Sequence, residues 1–294
     1  MTDEKALKTT NSLIFKLCKL IKKLQKYSLN SLFYITLQLK RYIIKNVNLI
    51  IDIGNTQAKL VAFDGDCPIE EVRTSNTTLE GLDAFIKKYN FKRGIVASVI
   101  NLSSEIERQL KAIHFPVLRF NANTPIPINN CYRTPQTLGS DRLAAVIGAY
   151  MQHPNHNILV IDAGTCLTYE FIDYKGNYWG GNITSGLQMR LRAMHTFTAK
   201  LPLIESQGDT PELGYDTETA MRSGVITGIT FEIEGYIRYY RHKYPDLLVF
   251  LTGGDEFNFD ASIKNIIFAD KYLVPRGLNR ILNFNNDKFK EDSL

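Results

Sequence analysis

A short acidic turn, DIGNTQAK, carries residues suited to holding a phosphate and a metal ion. Asp52 follows an apolar run directly and precedes a Gly-Asn-Thr bend. Gly54 permits a backbone turn that a side chain would block, and Asn55, Thr56 and the exposed amides can donate to phosphate oxygens. Asp52 offers the hard oxygen that hydrated Mg²⁺ prefers. Lys59 is a weaker candidate for a phosphate contact. Along an alternating strand it would lie on the opposite face to the odd-numbered neighbours of Asp52.

A second turn of the same type follows 110 residues later, in IDAGTC. Asp162 and Gly164 stand there where the first turn has Asp52 and Gly54, and Thr165 supplies the hydroxyl. A repeated strand–Asp–x–Gly–hydroxyl–strand unit predicts two similar halves produced by internal duplication. Either motif alone fits a polar hairpin turn, but two such turns facing each other would form a nucleotide clamp.

Two further segments could complete such a site. GSDR, residues 139–142, opens a predicted helix, where a carboxylate is ordinarily a stabilising charge. The chemical alternative is that Asp141 accepts the proton of a substrate hydroxyl attacking a γ-phosphate. Arg142 could then hold a substrate carboxylate through a planar two-pronged contact. LTGGD, residues 251–255, ends an apolar strand with two glycines that would let adenosine approach the backbone.

Several other classes of protein lose support. Neither GxxxxGK[ST] nor GxGxxG occurs, which argues against P-loop and Rossmann sites. The four cysteines show no CxxC spacing, so they are expected to be reduced packing residues of a cytoplasmic protein rather than zinc ligands. None of the five histidines pairs with a plausible nucleophile, which disfavours a hydrolase triad.

The net charge of +5 is unevenly distributed. Residues 1–46 carry ten basic and two acidic residues, whereas the remainder carries 25 basic and 28 acidic residues. The longer part is therefore mildly acidic and shows no basic stripe for nucleic acid. A length of 294 residues with 44% apolar content suits one large or two modest domains.

Residues 1–46 form a Lys-rich extension whose apolar patch is too short to span a bilayer. It also lacks the features of a secretory signal. Three interpretations remain: a membrane-surface helix, a partner-docking helix, or a segment from a misassigned start. We favour the last, with Val47 as the true start, and otherwise expect weak order here.

Past residue 46 the pattern alternates between strands and helices. Two strands are predicted to meet at the GNT turn, followed by a third strand and a helix capped by Thr77 or Thr78. The second half repeats this order and contains a long helical region predicted to break near Gly224 and Gly228.

Taken in order, these motifs closely resemble the type III pantothenate kinases of the actin/sugar-kinase/Hsp70 superfamily. The resemblance covers residues 47 to about 283, through DIGNTQAK, YRTPQTLGSDR, VIDAGTCLTYEF, GGNITSGLQMRLRAMHTFTAKLP, DTETAMRSG and LTGGD. It implies an α/β fold of two ribonuclease H-like domains, residues 47–156 and 157–294, with a nucleotide cleft between them.

The resemblance also implies that ATP phosphorylates pantothenate to 4′-phosphopantothenate, the first step of coenzyme A biosynthesis, with Asp141 as general base. The residues implied to bind ATP are Asp52, Ile53, Gly54, Asn55, Thr56, Gln57, Ala58, Lys59 and Thr165. Those implied to bind pantothenate are Tyr132, Gly139, Ser140, Asp141, Arg142 and Thr217, the last from the neighbouring subunit of a homodimer.

The resemblance also implies two bound cations. Asp162 would bind a monovalent cation, K⁺ or NH₄⁺, and Asp52 would hold the Mg²⁺ of ATP through water. Because no P-loop lysine is present, positive charge near the phosphates would have to come from ions. No nucleic-acid or membrane partner is expected, and the location is expected to be cytoplasmic.

Two other functions stay open on the sequence. Another kinase of the superfamily, acting on a sugar or a small acid, would need an acceptor pocket different from the Tyr132 and Arg142 pair. A nucleotide-sensing regulator could keep the ATP clamp without turnover, but the presence of Asp141 argues against it. A chaperone is disfavoured because no substrate-binding domain follows the two halves.

Overall fold

The computed structural model describes residues 47–255, 257, 259 and 261–291, with backbone alone for residues 261, 262 and 286–291. These residues group into one compact unit. The extension predicted over residues 1–46 lies outside the described residues, so the interpretations of it stay predictions.

The first sheet has five strands in the order β3-β2-β1-β4-β5. Strand β1 pairs antiparallel with β2, which pairs antiparallel with β3, whereas β4 and β5 run parallel to β1 on its other side. The strands are β1 (Val47–Ile53), β2 (Ala58–Asp64), β3 (Cys67–Thr74), β4 (Phe91–Ser98) and β5 (Val117–Arg119).

The second sheet has six strands in the order β11-β10-β7-β8-β9-β6. Strands β7, β8 and β9 form an antiparallel meander, and β10 and β11 run parallel to β7. The strands are β6 (Asn129–Asn130), β7 (Ile158–Ala163), β8 (Cys166–Ile172), β9 (Asn177–Ser185), β10 (Leu248–Gly253) and β11 (Ile267–Ala269).

The two sheets share one topology. Each begins with three antiparallel strands in a meander and adds two parallel strands beside the first, which confirms the predicted duplication and the ribonuclease H-like α/β fold class. The second sheet gains one strand, because β6 pairs with β9 although it precedes residue 157 in the chain. The domain limits of 47–156 and 157–294 themselves stay a prediction.

Helices connect and cover these sheets. They are α1 (Leu82–Lys88), α2 (Ser104–Lys111), α3 (Ser140–Gln152), α4 (Leu187–Phe197), α5 (Thr217–Lys243), α6 (Ala261–Lys264) and α7 (Leu273–Glu291), with a 3₁₀ turn at Pro135–Thr137. Within the described part of the chain, no helix is both long and apolar enough to cross a membrane. The cysteines described there, Cys67, Cys131 and Cys166, are free thiols.

Two predictions about helices were wrong. Helix α1 begins after Gly81, which has φ 84° and provides no side-chain cap, so neither Thr77 nor Thr78 caps it. Helix α5 runs unbroken through Gly224 and Gly228. Glycine lowers helix propensity by about 1 kcal/mol relative to alanine, and burial of the apolar face of α5 on the second sheet outweighs that cost.

Helices α3 and α7 pack against each other within the larger apolar core, which draws residues from both sheets. Their backbones approach so closely that a Cβ at Gly277 would lie 1.8 Å from the carbonyl oxygen of Ala144. A Cβ at Gly148 would likewise lie 2.2 Å from the carbonyl oxygen of Leu273. The crossing therefore fixes the position of α3, whose first turn carries the GSDR segment.

Candidate active site

The first acidic turn joins β1 to β2. The amide of Gly54 donates to the carbonyl of Gln57 at 3.0 Å, which closes the bend. Asp52 lies directly opposite Lys59 in the β1–β2 register, so the two side chains share one face of the sheet. Asn76 braces the turn from outside, donating to the carbonyls of Gly54 and Asn55 at 3.0 and 2.8 Å.

The second turn joins β7 to β8 in the same way. The amide of Gly164 donates to the carbonyl of Cys166 at 3.0 Å. Asp162 lies opposite Thr168, at the position that corresponds to the pairing of Asp52 with Lys59 in the first sheet. The repeated sequence motif therefore marks a repeated structural position, the end of the first strand of each sheet.

The two turns meet. The hydroxyl oxygens of Thr56 and Thr165 are 3.0 Å apart and hydrogen-bonded, with both side chains exposed to solvent. This contact confirms that the turns face each other. That they hold a nucleotide stays a prediction.

Helix α3 brings Asp141 to the same place. The hydroxyl of Ser140 donates to the carbonyl of Ser98 at 3.2 Å, which ties the start of α3 to the end of β4. Ser98 is the register partner of Ile53, next to Asp52. Asp141 accepts a hydrogen bond from the Arg142 amide at 2.8 Å within the first helical turn.

The three aspartates influence one another electrostatically. Burial raises the pKa of Asp52 to about 6, with Asp141 adding to the rise and Lys59 opposing it. Burial also raises the pKa of Asp162 to about 7, with Asp141 and Asp52 adding to the rise and Lys59 again opposing it. Lys59 therefore faces both acidic turns, and the negative charge around it exceeds what one ammonium group can balance.

The oxygen atoms available here suit cations that keep some of their bound water or take further ligands from phosphate oxygens. Among the described residues, no three His, Cys, Asp or Glu side chains come together as a metal-binding group. Mg²⁺ commonly binds through one or two carboxylates with several waters and substrate phosphates, which Asp52 could supply. Beside Asp162, the buried Thr168 hydroxyl has no hydrogen-bond partner, which leaves an oxygen available to a ligand.

Arg142 forms a different ion pair from the one predicted from the sequence. Its guanidinium group is buried and makes a two-pronged ion pair with the fully buried Glu170, through Nε to Oε1 and Nη2 to Oε2. Burial disfavours the charged form of Arg142, but the ion pair with Glu170 outweighs this effect. The pKa of Arg142 therefore lies above its usual value. The two-pronged contact predicted for a substrate carboxylate is thus made within the protein.

Tyr132 lies against this ion pair. The guanidinium carbon of Arg142 is 5.6 Å from the centre of the Tyr132 ring, which stacks on Tyr178 at 6.3 Å. Tyr132 and Arg142, both predicted to contact the acceptor, are therefore neighbours. Gly139 packs tightly beside them, since a Cβ there would lie 2.5 Å from Oδ1 of Asp141.

The LTGGD segment approaches the second turn from β10. Gly253 has φ 108° and touches the backbone of Ala163, so a side chain there is excluded, whereas Gly254 faces open space. Asp255 accepts a hydrogen bond from the amide of Leu187 at the start of α4. Gly253 thus allows β10 to pack closely against β7. The adenosine contact predicted for this segment stays a prediction, with Gly254 as its candidate residue.

Three residues from the predicted set contribute no described side-chain hydrogen bond or ion pair to this cluster. Ile53 and Ala58 are fully buried, so their side chains support the turn from within the core. Thr217 is exposed in the first turn of α5 and shares no described hydrogen bond or ion pair with the other predicted residues.

Comparison with known proteins identifies the family. The family model for type III pantothenate kinase matches residues 48–239. A type III pantothenate kinase of Bacteroides fragilis is 55% identical over 242 residues, covering 82% of this chain and all of that protein. A second, from Phocaeicola vulgatus, is 54% identical over 240 residues, covering 82% of this chain and 99% of that protein.

The chain belongs to the type III pantothenate kinase family.

A solved structure supports the fold of this family member. It comes from Campylobacter jejuni, is provisionally named a Baf family transcriptional activator, and is 22% identical to this chain. It aligns with a TM-score of 0.51 over 81% of this chain and 99% of its own.

Sequence reasoning on this type III pantothenate kinase missed four supporting residues. They are Asn76, Thr168, Glu170 and Tyr178. Thr168 and Glu170 lie within the quoted VIDAGTCLTYEF motif, so the motif pointed to them without giving a role. Asn76 belongs to a polar loop that nothing in the sequence connects with the first turn.

The raised carboxyl pKa values predict how stability depends on pH. Asp52 and Asp162 hold their protons more tightly when folded than at the ordinary value of 3.8. Their contribution to the free energy of unfolding is therefore present below about pH 4 and is lost as pH rises through 6 to 7. We expect Asp162→Asn to raise the melting temperature of the ligand-free protein at pH 8 by roughly 3 °C, and to raise it by less near pH 5, which lies early in that window.

Asp173 provides the matched control. Burial disfavours its charged form, but hydrogen bonds from Asn177, Trp179 and the Lys175 amide outweigh that effect and lower its pKa. Asp173→Asn should therefore lower the melting temperature at pH 8, opposite in sign to Asp162→Asn. A melting temperature of Asp162→Asn at or below wild type at pH 8 would contradict the assignment.

Proposed function

We propose that this protein transfers the γ-phosphate of ATP to the primary hydroxyl of pantothenate, giving 4′-phosphopantothenate in the first step of coenzyme A biosynthesis. Membership of the family supports the reaction. The observation in this chain that supports it most is the hydrogen bond between Thr56 and Thr165, which joins the two acidic turns.

In the proposed reaction, Asp141 takes the proton of the pantothenate hydroxyl. The hydroxyl oxygen forms the new bond to the γ-phosphorus while the bond from that phosphorus to the bridging oxygen breaks, and ADP leaves. The position of Asp141 supports this role, because the start of α3 is tied to β4 next to Asp52. General-base catalysis of this kind contributes roughly 10² to 10⁴ in rate.

The triphosphate is proposed to bind across the two turns. The amides and hydroxyls of Gly54, Asn55, Thr56 and Thr165 would donate to its oxygens, and Lys59 would add charge. Mg²⁺ at Asp52 and a monovalent cation at Asp162, K⁺ or NH₄⁺, would supply the remaining positive charge. The mutual electrostatic effect of the buried carboxylates supports this requirement.

A homodimer is proposed to complete the acceptor site with Thr217 of a second copy. Thr217 is exposed and shares no described hydrogen bond or ion pair with the predicted residues around Asp141. Large apolar side chains are also exposed on the same helix and on β9, namely Phe231, Tyr239, Trp179 and Ile183. Burial of such a surface against a second copy would stabilise the pair. The reaction is expected to take place in the cytoplasm.

The base assignment predicts the effect of Asp141→Asn. An amide of the same shape cannot accept the proton, so kcat for ADP release with pantothenate should fall at least about 100-fold with little change in the KM for ATP. Asp83→Asn is the matched control, since Asp83 is exposed in the first turn of α1. Wild-type turnover by Asp141→Asn would reject the role.

A panel of sugars in the same assay separates this function from the alternative kinase. We expect pantothenate to be the preferred acceptor. Phosphorylation of a sugar without phosphorylation of pantothenate would instead support another kinase of the superfamily, and ATP binding without turnover on any acceptor would support a nucleotide-sensing regulator.

The cation assignment predicts that turnover depends on K⁺ or NH₄⁺. Replacing KCl by equimolar choline chloride should reduce the rate at least about tenfold, because the buried carboxylate charge then lacks its balance beside the phosphates. Asp162→Asn should lose most of this dependence. Equal rates of the wild-type enzyme in both salts would contradict the role of Asp162.

The shared acceptor site predicts complementation between two inactive variants. In a mixed dimer of Asp141→Asn and Thr217→Val, one site receives both defects and the other receives neither. Mixing and re-equilibrating the two proteins should therefore restore activity to roughly a quarter of the wild-type level, the statistical value for random exchange. If Thr217 acted within its own chain, or if light scattering gave a monomer mass, the mixture would stay inactive and the proposal would fail.

A further inference from the structure

The acceptor residues Tyr132 and Arg142 rest on a buried polar group that has no assigned role. Glu170 is fully buried on β8 and uses both carboxylate oxygens. Arg142 donates to each of them, and the hydroxyl of the fully buried Tyr178 donates to Oε2 at 2.6 Å. Tyr178 in turn stacks beneath Tyr132.

The GG pair of the GGNITSG motif fits around this group. A Cβ at Gly181 would lie 2.5 Å from Oε2 of Glu170, and a Cβ at Gly180 would lie 2.8 Å from the Tyr132 ring. The strand β9 can therefore pass behind the carboxylate and the ring only without side chains at these two positions. Gly181 is also required by the close approach of β9 to the carbonyl oxygen of Tyr169, and both glycines leave room for the Glu170 carboxylate and the Tyr132 ring.

The geometry of the guanidinium group gives this arrangement a consequence for specificity. An arginine that gives Nε and Nη2 to one carboxylate still carries Nη1 as a donor, in a plane that the first contact fixes. Tyr132 also interacts with this guanidinium group, so Tyr132 and Nη1 lie together. A buried arginine without such a partner would be strongly destabilising. Glu170 thus supports the charge of Arg142 and sets the direction of the remaining donor.

We propose that Glu170, held by Tyr178, is a positioning residue that orients Arg142 and thereby determines selectivity for an acceptor with a carboxylate end. This inference rests on the proposed function and on the sequence-based prediction that Arg142 contacts the acceptor, here through the donor that Glu170 does not occupy. Neither Glu170 nor Tyr178 touches the acceptor in this arrangement, and both act through Arg142.

The chain provides a matched control. Tyr169 is also buried and donates to a glutamate paired with an arginine, namely Glu232 with Arg190. Tyr169 neighbours Glu170 on β8 and therefore points to the opposite face of the same sheet. Removal of its hydroxyl is the same chemical change at a place away from Arg142.

The test compares Tyr178→Phe and Tyr169→Phe with wild type in steady-state kinetics on pantothenate and on its primary amide, a neutral isostere of the carboxylate. We expect the wild-type enzyme to prefer pantothenate. Tyr178→Phe should raise the KM for pantothenate about fivefold, the scale of a weakened hydrogen bond to a charged group, and reduce the preference over the amide by a similar factor. Its kcat and its KM for ATP should stay near wild type, and Tyr169→Phe should leave the preference unchanged.

The outcomes separate the two proposals. Failure of the wild-type enzyme to phosphorylate pantothenate would overturn the proposed function. An active wild type, with an equal loss on both acceptors in Tyr178→Phe, would show a merely structural role and overturn the inference alone. An unchanged preference in that variant would overturn it as well. Tyr178→Phe carries the test because Glu170→Gln would leave Arg142 as a buried unpaired charge and would risk unfolding.

Discussion

The hydrogen bond between Thr56 and Thr165 joins the acidic turns of the two halves of the molecule. Each threonine belongs to a turn that ends the first strand of its sheet, and each turn follows a carboxylate, Asp52 or Asp162. Asp52 is buried and Asp162 is half-buried. These carboxylates repel one another and a third nearby and lose hydration, so this arrangement costs folding free energy. The rest of the structure must hold the turns together against that cost, which the shared apolar core accomplishes.

The same cost explains the chemistry that the site is suited to. A site with concentrated negative charge binds a polyanion such as ATP only if cations accompany it, and Lys59 is one such charge within the described cluster. A P-loop enzyme solves this problem with a lysine and a helix N-terminus. In the proposed site, metal ions at the carboxylates would take this part, and each ion would balance protein and phosphate oxygens together.

Helix α3 joins the predicted site residues of its first turn to the packing between the two sheets. Its first turn carries Asp141 and Arg142, while its middle packs on α7 through the close approach at Gly148 and Gly277. Its start is hydrogen-bonded to β4 in the first sheet, and Arg142 is paired with Glu170 in the second. A change in the relative position of the two sheets would therefore move Asp141, the proposed base, and Arg142 together.

The sequence alone determined the duplicated topology and the acidic turns, because a strand that ends in Asp-x-Gly and a hydroxyl is a local signal that the chain repeats. Local patterns misplaced the cap of α1 and broke α5 at its glycines, since packing on a sheet outweighs propensity. The sequence patterns also predicted that both prongs of Arg142 would bind a substrate carboxylate. Only the tertiary structure decided that Glu170 occupies its fork, that Lys59 faces Asp52, and that Thr56 meets Thr165, because each of these depends on which distant segments the sheets bring to one edge.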